Sequence, residues 1–181
     1  MKGIVFTEFS EMVEGQFGLE YWDELITSCN LPSNGVYTSI GTYDHSELVQ
    51  LVVNLSKQKN IPLNELLESF GLYLFNRFTV LYPSFFTAVD SLLDFLESVE
   101  DYIHVEVFKL YPDAELPKFS CQRLDSHTLV MLYQSDKAMA NLAVGLITGA
   151  MEFYKEKGTI LLEPLNETGT KVQISIRLEH G

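Results

Sequence analysis

An α+β fold is expected, a helical N-terminal layer followed by a ββαββ run that forms a four-stranded antiparallel sheet, and three observations lead to it. Apolar residues keep three- and four-residue steps through residue 111. Beyond Pro117 the period shortens to two. A hydrophobic fraction of 46% with 20% charged residues over 181 residues suffices for one packed domain and excludes a disordered chain.

Taken in order, Val5, Phe9, Met12, Val13 and Phe17 recur at helical spacing and Gly18 follows, which makes Lys2 to Phe17 one amphipathic helix. A second runs from Leu19 to Cys29 and stops before Leu31-Pro32-Ser33-Asn34-Gly35, a loop by composition, with a short extended piece over Val36 to Thr38. Asp44 suits the N-cap of a helix carrying Leu48, Leu51, Val52 and Leu55, and Glu47 three residues later completes a capping-box pattern. Pro62 opens the next helix, which is apolar nearly all round between Leu66 and Phe78 and therefore fit for burial. Gly71 in its middle costs ~1 kcal/mol relative to alanine, so a close neighbour is implied there. Pro83 starts a further helix through Val99, and a short one covers Asp101 to Tyr111.

Phe119, Cys121 and Arg123, then Leu129, Met131 and Tyr133, alternate on either side of Asp125-Ser126 and predict a hairpin. Ala138 to Lys157 returns to helix, with Gly145 and Gly149 four apart on one face and Gly158 closing it as a C′ glycine. Thr159 to Leu165 and Lys171 to Leu178 are the last strands, joined by Asn166-Glu167-Thr168-Gly169.

The charge balance removes whole classes of function. Lys+Arg 12 against Asp+Glu 25 leaves −13, the wrong sign for tracking a phosphate backbone or an anionic bilayer, so no nucleic-acid partner is expected. Two cysteines, Cys29 and Cys121, make neither a zinc knuckle nor the disulfide frame of a secreted scaffold. Glu8, Glu11 and Glu14 break the layout of a signal peptide, and the longest charge-free apolar stretch, Ala138 to Met151, is shorter than the ~18 residues a membrane span requires. The expectation is a soluble, cytoplasmic protein without membrane insertion.

Of four histidines, His45 and His127 fall at turns and His180 in the tail, leaving His104 on the apolar helix YIHVEVFKLY, on a face with Phe108 and Tyr111. Alone, it reads as a partly buried packing histidine. Tyr133, Ser135 and Lys137 present a phenol, a hydroxyl and an ammonium on one side of a strand, a trio suited to a ligand's carboxylates through charge-assisted bonds. Alone, they read as a strand end, with Asp136 neutralising Lys137. An enzyme would draw on Cys121 and His127 as a thiol–imidazole pair across the hairpin, but no third group is there to orient them.

The MKG start, Phe70-Gly71 in the buried helix, the His104 helix, Pro117 beyond it, the Y-x-S-x-R-like stretch and the Gly145 helix together resemble the H-NOX family over the whole chain. These are haem-based nitric-oxide and oxygen sensor domains related to the haem domain of soluble guanylate cyclase. The resemblance implies a single domain over residues 1–181, with a distal helical subdomain over 1–60 and a proximal subdomain over 61–181. It implies haem b, with His104 as the proximal iron ligand and Tyr133, Ser135 and Lys137 on the propionates. Lys137 stands where the family has arginine, keeping the charge and losing the planar fork. Pro117 matches the proline that presses on the porphyrin, and Val5 stands where a family isoleucine bends the ring from the distal side.

In oxygen-binding relatives a tyrosine occupies the position of Leu142, supported by polar partners at those of Phe9 and Leu74. Here all three are apolar, as are Phe78 and Leu146. The implied sensor is therefore not an enzyme: it binds nitric oxide and carbon monoxide, excludes dioxygen, and signals by breaking the His104–iron bond to a histidine kinase or a cyclic-di-GMP enzyme, a diguanylate cyclase or phosphodiesterase. A non-haem sensor of a small hydrophobic molecule on the same fold is the alternative, and it would be colourless.

Overall fold

The computed structural model describes residues 1–179. Its N-terminal helices are α1 (Gly3–Phe17), α2 (Leu19–Thr27), α3 (His45–Lys59) and α4 (Leu63–Leu81). Helices α5 (Leu92–Ser98) and α6 (His104–Leu110) lead to the hairpin β1 (Lys118–Arg123) and β2 (Thr128–Gln134), and α7 (Ala140–Phe153) precedes β3 (Gly158–Pro164) and β4 (Lys171–Leu178). The sheet has the order β1-β2-β4-β3 and is antiparallel throughout, which is the ββαββ arrangement expected. Among the described residues no helix is long and apolar enough to cross a membrane.

Two hydrophobic clusters form. One gathers Phe6, Phe9, Trp22, Leu48, Leu55 and Phe70 from the first four helices. The other packs α5 and α7 on one face of the sheet, with Leu129, Met131, Ile174 and Ile176 against Ala143, Ile147 and Ala150. Phe78 and Leu146 touch both clusters. The seam between them is the α4–α7 contact. A Cβ on Gly71 would lie 2.3 Å from the Leu142 carbonyl oxygen, and one on Gly145 would lie 2.0 Å from that of Glu68. The neighbour implied by Gly71 is thus the α7 backbone, and only two glycines let the helices come so close.

Several expectations are corrected. Val36 to Thr38 forms no strand: Tyr37 stacks on Phe6 at 4.6 Å, and the local bridge falls at Lys2 and Thr42. Asp44 caps α3 through the Ser46 amide at 2.8 Å, but Glu47 turns inward, where its carboxylate accepts from the Ser33 hydroxyl and, at 3.0 Å, from Tyr37. No continuous helix spans Pro83 to Val99. Pro83–Phe85 make one 3₁₀ turn, and α5 starts afresh at Ser91, whose hydroxyl accepts from the Asp94 amide. The helix expected over Asp101 to Tyr111 opens as a π turn, Val99–Ile103, before α6.

Helix α7 starts two residues late because Ala138 is left-handed at φ 49°, and it ends at Phe153 with Lys155 left-handed at φ 59°. Gly158 is therefore not a helix cap. It begins β3, where a Cβ would sit 2.3 Å from the Arg177 carbonyl oxygen. His180 lies outside the described residues.

Candidate functional site

Between α1, α4, α6, α7 and the sheet lies a cavity of about 280 Å³. Its wall on the α1, α4 and α7 side is apolar, with Val5, Leu74, Phe78, Leu142 and Leu146 all lining it. Phe9 does not line it. That ring is fully buried one layer behind, edge-on to Phe70 at 5.0 Å and to Trp22 at 6.4 Å. Pro117 and Phe119 line the wall that also carries His104.

His104 is the first residue of α6, and its side chain is only 12% exposed. Of the two residues expected on its face, Tyr111 lines the cavity as read, whereas Phe108 is exposed and Val107, at a step of three, takes its place. The His104 Nδ1 lies 3.2 Å from Glu100 Oε2, which also accepts the Phe119 backbone N–H at 3.0 Å. With a carboxylate as acceptor, Nδ1 carries the proton and Nε2 keeps its lone pair. Burial holds the imidazole below its ordinary value of 6.5, partly offset by the Glu100 charge, so the ring is neutral at neutral pH. No protein group among the described residues bonds Nε2.

Tyr133, Ser135 and Lys137 all line the same cavity, though strand alternation is not what gathers them. β2 ends at Gln134, and the chain turns through Ser135, whose amide donates to Thr170, and through left-handed Ala138. The turn brings the Met139 amide back onto the Tyr133 phenol oxygen at 3.0 Å. Ser135 Oγ likewise accepts from the Lys137 amide at 3.2 Å. Both hydroxyls are occupied as acceptors, and neither proton meets a protein acceptor among the described residues. Lys137 Nζ donates to the Glu115 carboxylate at 3.0 Å and to the Glu115 carbonyl at 3.3 Å, keeping a third N–H.

The donor set defines what would fit. Among the described residues no three His, Cys, Asp or Glu side chains group as a site for a bare ion. A metal on Nε2 would therefore need most of its coordination supplied by a flat, largely apolar group, and the unspent hydroxyl protons suit that group's carboxylates. Haem meets this description, and the residues present fit it.

Pattern reading missed Glu100, although an acid four residues before a histidine is a recognisable signal. It also missed the phenol pair of Tyr82 and Tyr111, whose oxygens lie 3.0 Å apart in the cavity lining. Cys121 and His127 do not form a pair. Cys121 stands opposite Met131 and donates to the Leu96 carbonyl at 3.8 Å, while Nδ1 of His127 is 2.8 Å from the Ser126 hydroxyl.

A sequence model of the haem-NO-binding family matches residues 2–161. The fold is similar to that of the unliganded Fe(II) H-NOX protein of K. algicida, 41% identical, with a TM-score of 0.96 over 100% of this chain and 98% of that one. The H-NOX protein of S. oneidensis in its Fe(II)NO state is 30% identical, TM-score 0.92, over 99% and 100%. That of Shewanella woodyi, bound to IWP-051 in its Fe(II)CO state, is 43% identical, TM-score 0.82, over 98% and 94%.

Proposed function

The chain belongs to the haem-NO-binding, or H-NOX, family of haem sensor domains, and from that membership we propose that it is a ferrous haem b sensor of nitric oxide and carbon monoxide that does not retain dioxygen. The observation that carries the proposal is the combination on His104: Nδ1 is spent on Glu100, Nε2 has no protein partner among the described residues, and the same cavity is lined by Tyr133 and Ser135, whose hydroxyl protons meet no protein acceptor among those residues. Bound haem would supply the iron at which a diatomic coordinates, and nitric oxide would weaken the bond on the opposite side.

Each residue then has a definite task. His104 offers a neutral imidazole whose tautomer is fixed by Glu100. Tyr133 and Ser135 donate to propionate oxygens, and Lys137 neutralises them with a single ammonium instead of a fork. Val5, Leu74, Phe78, Leu142 and Leu146 keep water and donors from the gas side, with Phe9 backing them. Dioxygen on ferrous iron gathers negative charge on its outer atom, and lack of a donor forgoes roughly 1.5–3 kcal/mol, or about ten- to a hundredfold in affinity. With haem held there, His104 would tie α6 to the iron, and loss of that tie would free α6 to move against the unit of residues 1–60, with residues 61–181 as the other unit. A switch needs a contact that differs between its states, and this bond is that contact. The reader of the switch would be a cytoplasmic histidine kinase, diguanylate cyclase or phosphodiesterase.

The test is optical. The purified protein should show the Soret band of five-coordinate ferrous haem, shift with nitric oxide or carbon monoxide, and show no stable oxy spectrum in air. His104→Ala should lose haem unless imidazole is supplied. Protein that stays colourless after incubation with haemin would overturn the proposal in favour of a non-haem sensor of an apolar ligand.

A further inference from the structure

One ring nitrogen of His104, Nδ1, meets a carboxylate. Glu100 Oε2 lies 3.2 Å from Nδ1 and accepts the Phe119 amide at 3.0 Å through the same oxygen. Glu100 is four residues before His104, and the π turn Val99–Ile103 lies between α5 and α6 at this point. Single-turn π segments recur at functional sites. One carboxylate oxygen thereby ties the helix that carries the candidate ligand to the first strand of the sheet, two residues beyond Pro117, which lines the cavity.

An N–H donated to an anionic acceptor is a stronger bond than one to a neutral acceptor, and it pushes electron density onto the other ring nitrogen. A more basic Nε2 binds a metal more tightly. We infer that Glu100 is a positioning residue that sets the strength of the His104–iron bond, and with it the ease with which nitric oxide frees the histidine. The inference rests on the haem reading of the preceding section. Glu100 touches neither gas nor iron; it acts through the ring. Because its oxygen also holds the Phe119 amide, it keeps the ring registered to the sheet after the bond breaks, so the motion of α6 is steered and not merely released.

The test uses full-length holoprotein and two readouts, the iron–histidine stretching frequency of the unliganded ferrous form and the ratio of histidine-free to histidine-bound species after nitric oxide is added. Glu100→Gln keeps an acceptor for Phe119 but removes the charge. It should leave the five-coordinate ferrous spectrum intact, lower the stretching frequency and raise the ratio roughly tenfold, the lower end of what loss of an outer-shell partner produces. Glu100→Asp, one methylene shorter, should move both readouts the same way by less, and it tests the idea independently should the Gln variant fold poorly. Glu106→Gln, whose carboxylate is engaged by Lys109, removes the same charge from α6 and should move neither readout. A stretching mode present in the wild type and unmoved by Glu100→Gln overturns the role of Glu100 alone. Its absence from the wild type overturns ligation by His104 itself.

Discussion

Leu142 carries the prediction about gas selectivity. Its side chain lines the cavity with Leu74 and Phe78, and none of the three has a hydrogen to donate. Leu142→Tyr puts a phenol there and should raise dioxygen affinity by about ten- to a hundredfold, read as a persistent oxy Soret band in air; an unchanged spectrum would mean that something other than a missing donor excludes the gas. Cys121 gives a second test. Burial, with Glu97, Glu100 and Asp101 nearby, pushes its thiol up to about 11, so it remains protonated at pH 8. Its alkylation by iodoacetamide should be far slower in folded than in unfolded protein. By type alone a histidine on an apolar helix reads as packing and Tyr133, Ser135 and Lys137 read as a strand end, so only the family resemblance made these side chains legible. Glu100 was not, because an exposed-looking acid acquires its role only from the turn that aims it. Phe9, brought to the site by the resemblance alone, is fully buried behind the lining, because a matched position in a relative does not fix the depth of a side chain.

The meeting of α4 and α7 decides where the apolar wall of the cavity stands. Gly145→Ala would place a methyl carbon 2.0 Å from the Glu68 carbonyl oxygen, so α7 must back away, at a cost of roughly 1–3 kcal/mol for overpacking. A lower Tm is expected, and because Leu142 and Leu146 ride on α7, the carbon monoxide spectrum should broaden as the wall loosens. An unaltered Tm would mean that the helices have slack. Gly71 was visible in the sequence as a site of close approach and Gly145 only as one of two glycines on a helix face, and nothing in a linear pattern says that the two face each other. The strands were legible from their alternation, except that alternation carries the second on through Lys137 whereas β2 ends at Gln134. The stretch from Pro83 to Val99 was not, because the chain leaves the 3₁₀ turn at Phe86, whose carbonyl accepts from the Tyr154 hydroxyl at 3.0 Å. Long-range contacts of that kind override local propensity.

The first residues of the chain are fastened to the segment after α6. Lys2 Nζ lies 3.0 Å from Asp113, which also accepts from the Thr42 hydroxyl at 2.5 Å, while the Gly3 and Tyr43 amides bond the Gly41 and Met1 carbonyls at 2.8 and 2.9 Å. The Thr42 hydroxyl and Lys2 hold the Asp113 carboxyl below its ordinary value of 3.8. A depressed value means that the tie is fully present above 3.8 and is lost as pH falls through the lowered value. Exchange of the Gly3 and Tyr43 amides, relative to intrinsic rates, should therefore be unchanged between pH 7 and 5 and should quicken only under stronger acid. Asp113→Ala should quicken it at every pH, and equal rates in the two proteins would reduce Asp113 to a solvated surface charge. The void between the clusters has a consequence beyond sensing. Leu74, Phe78, Leu142 and Leu146 on one wall of the cavity of about 280 Å³ offer water no partner, and they gain dispersion contacts from whatever fills it. An occupant that binds the folded chain alone adds about 4 kcal/mol at a thousandfold excess over its Kd. Newly made copies left empty would be degraded ahead of filled ones, so the cell's stock of this polypeptide would follow its supply of porphyrin and iron.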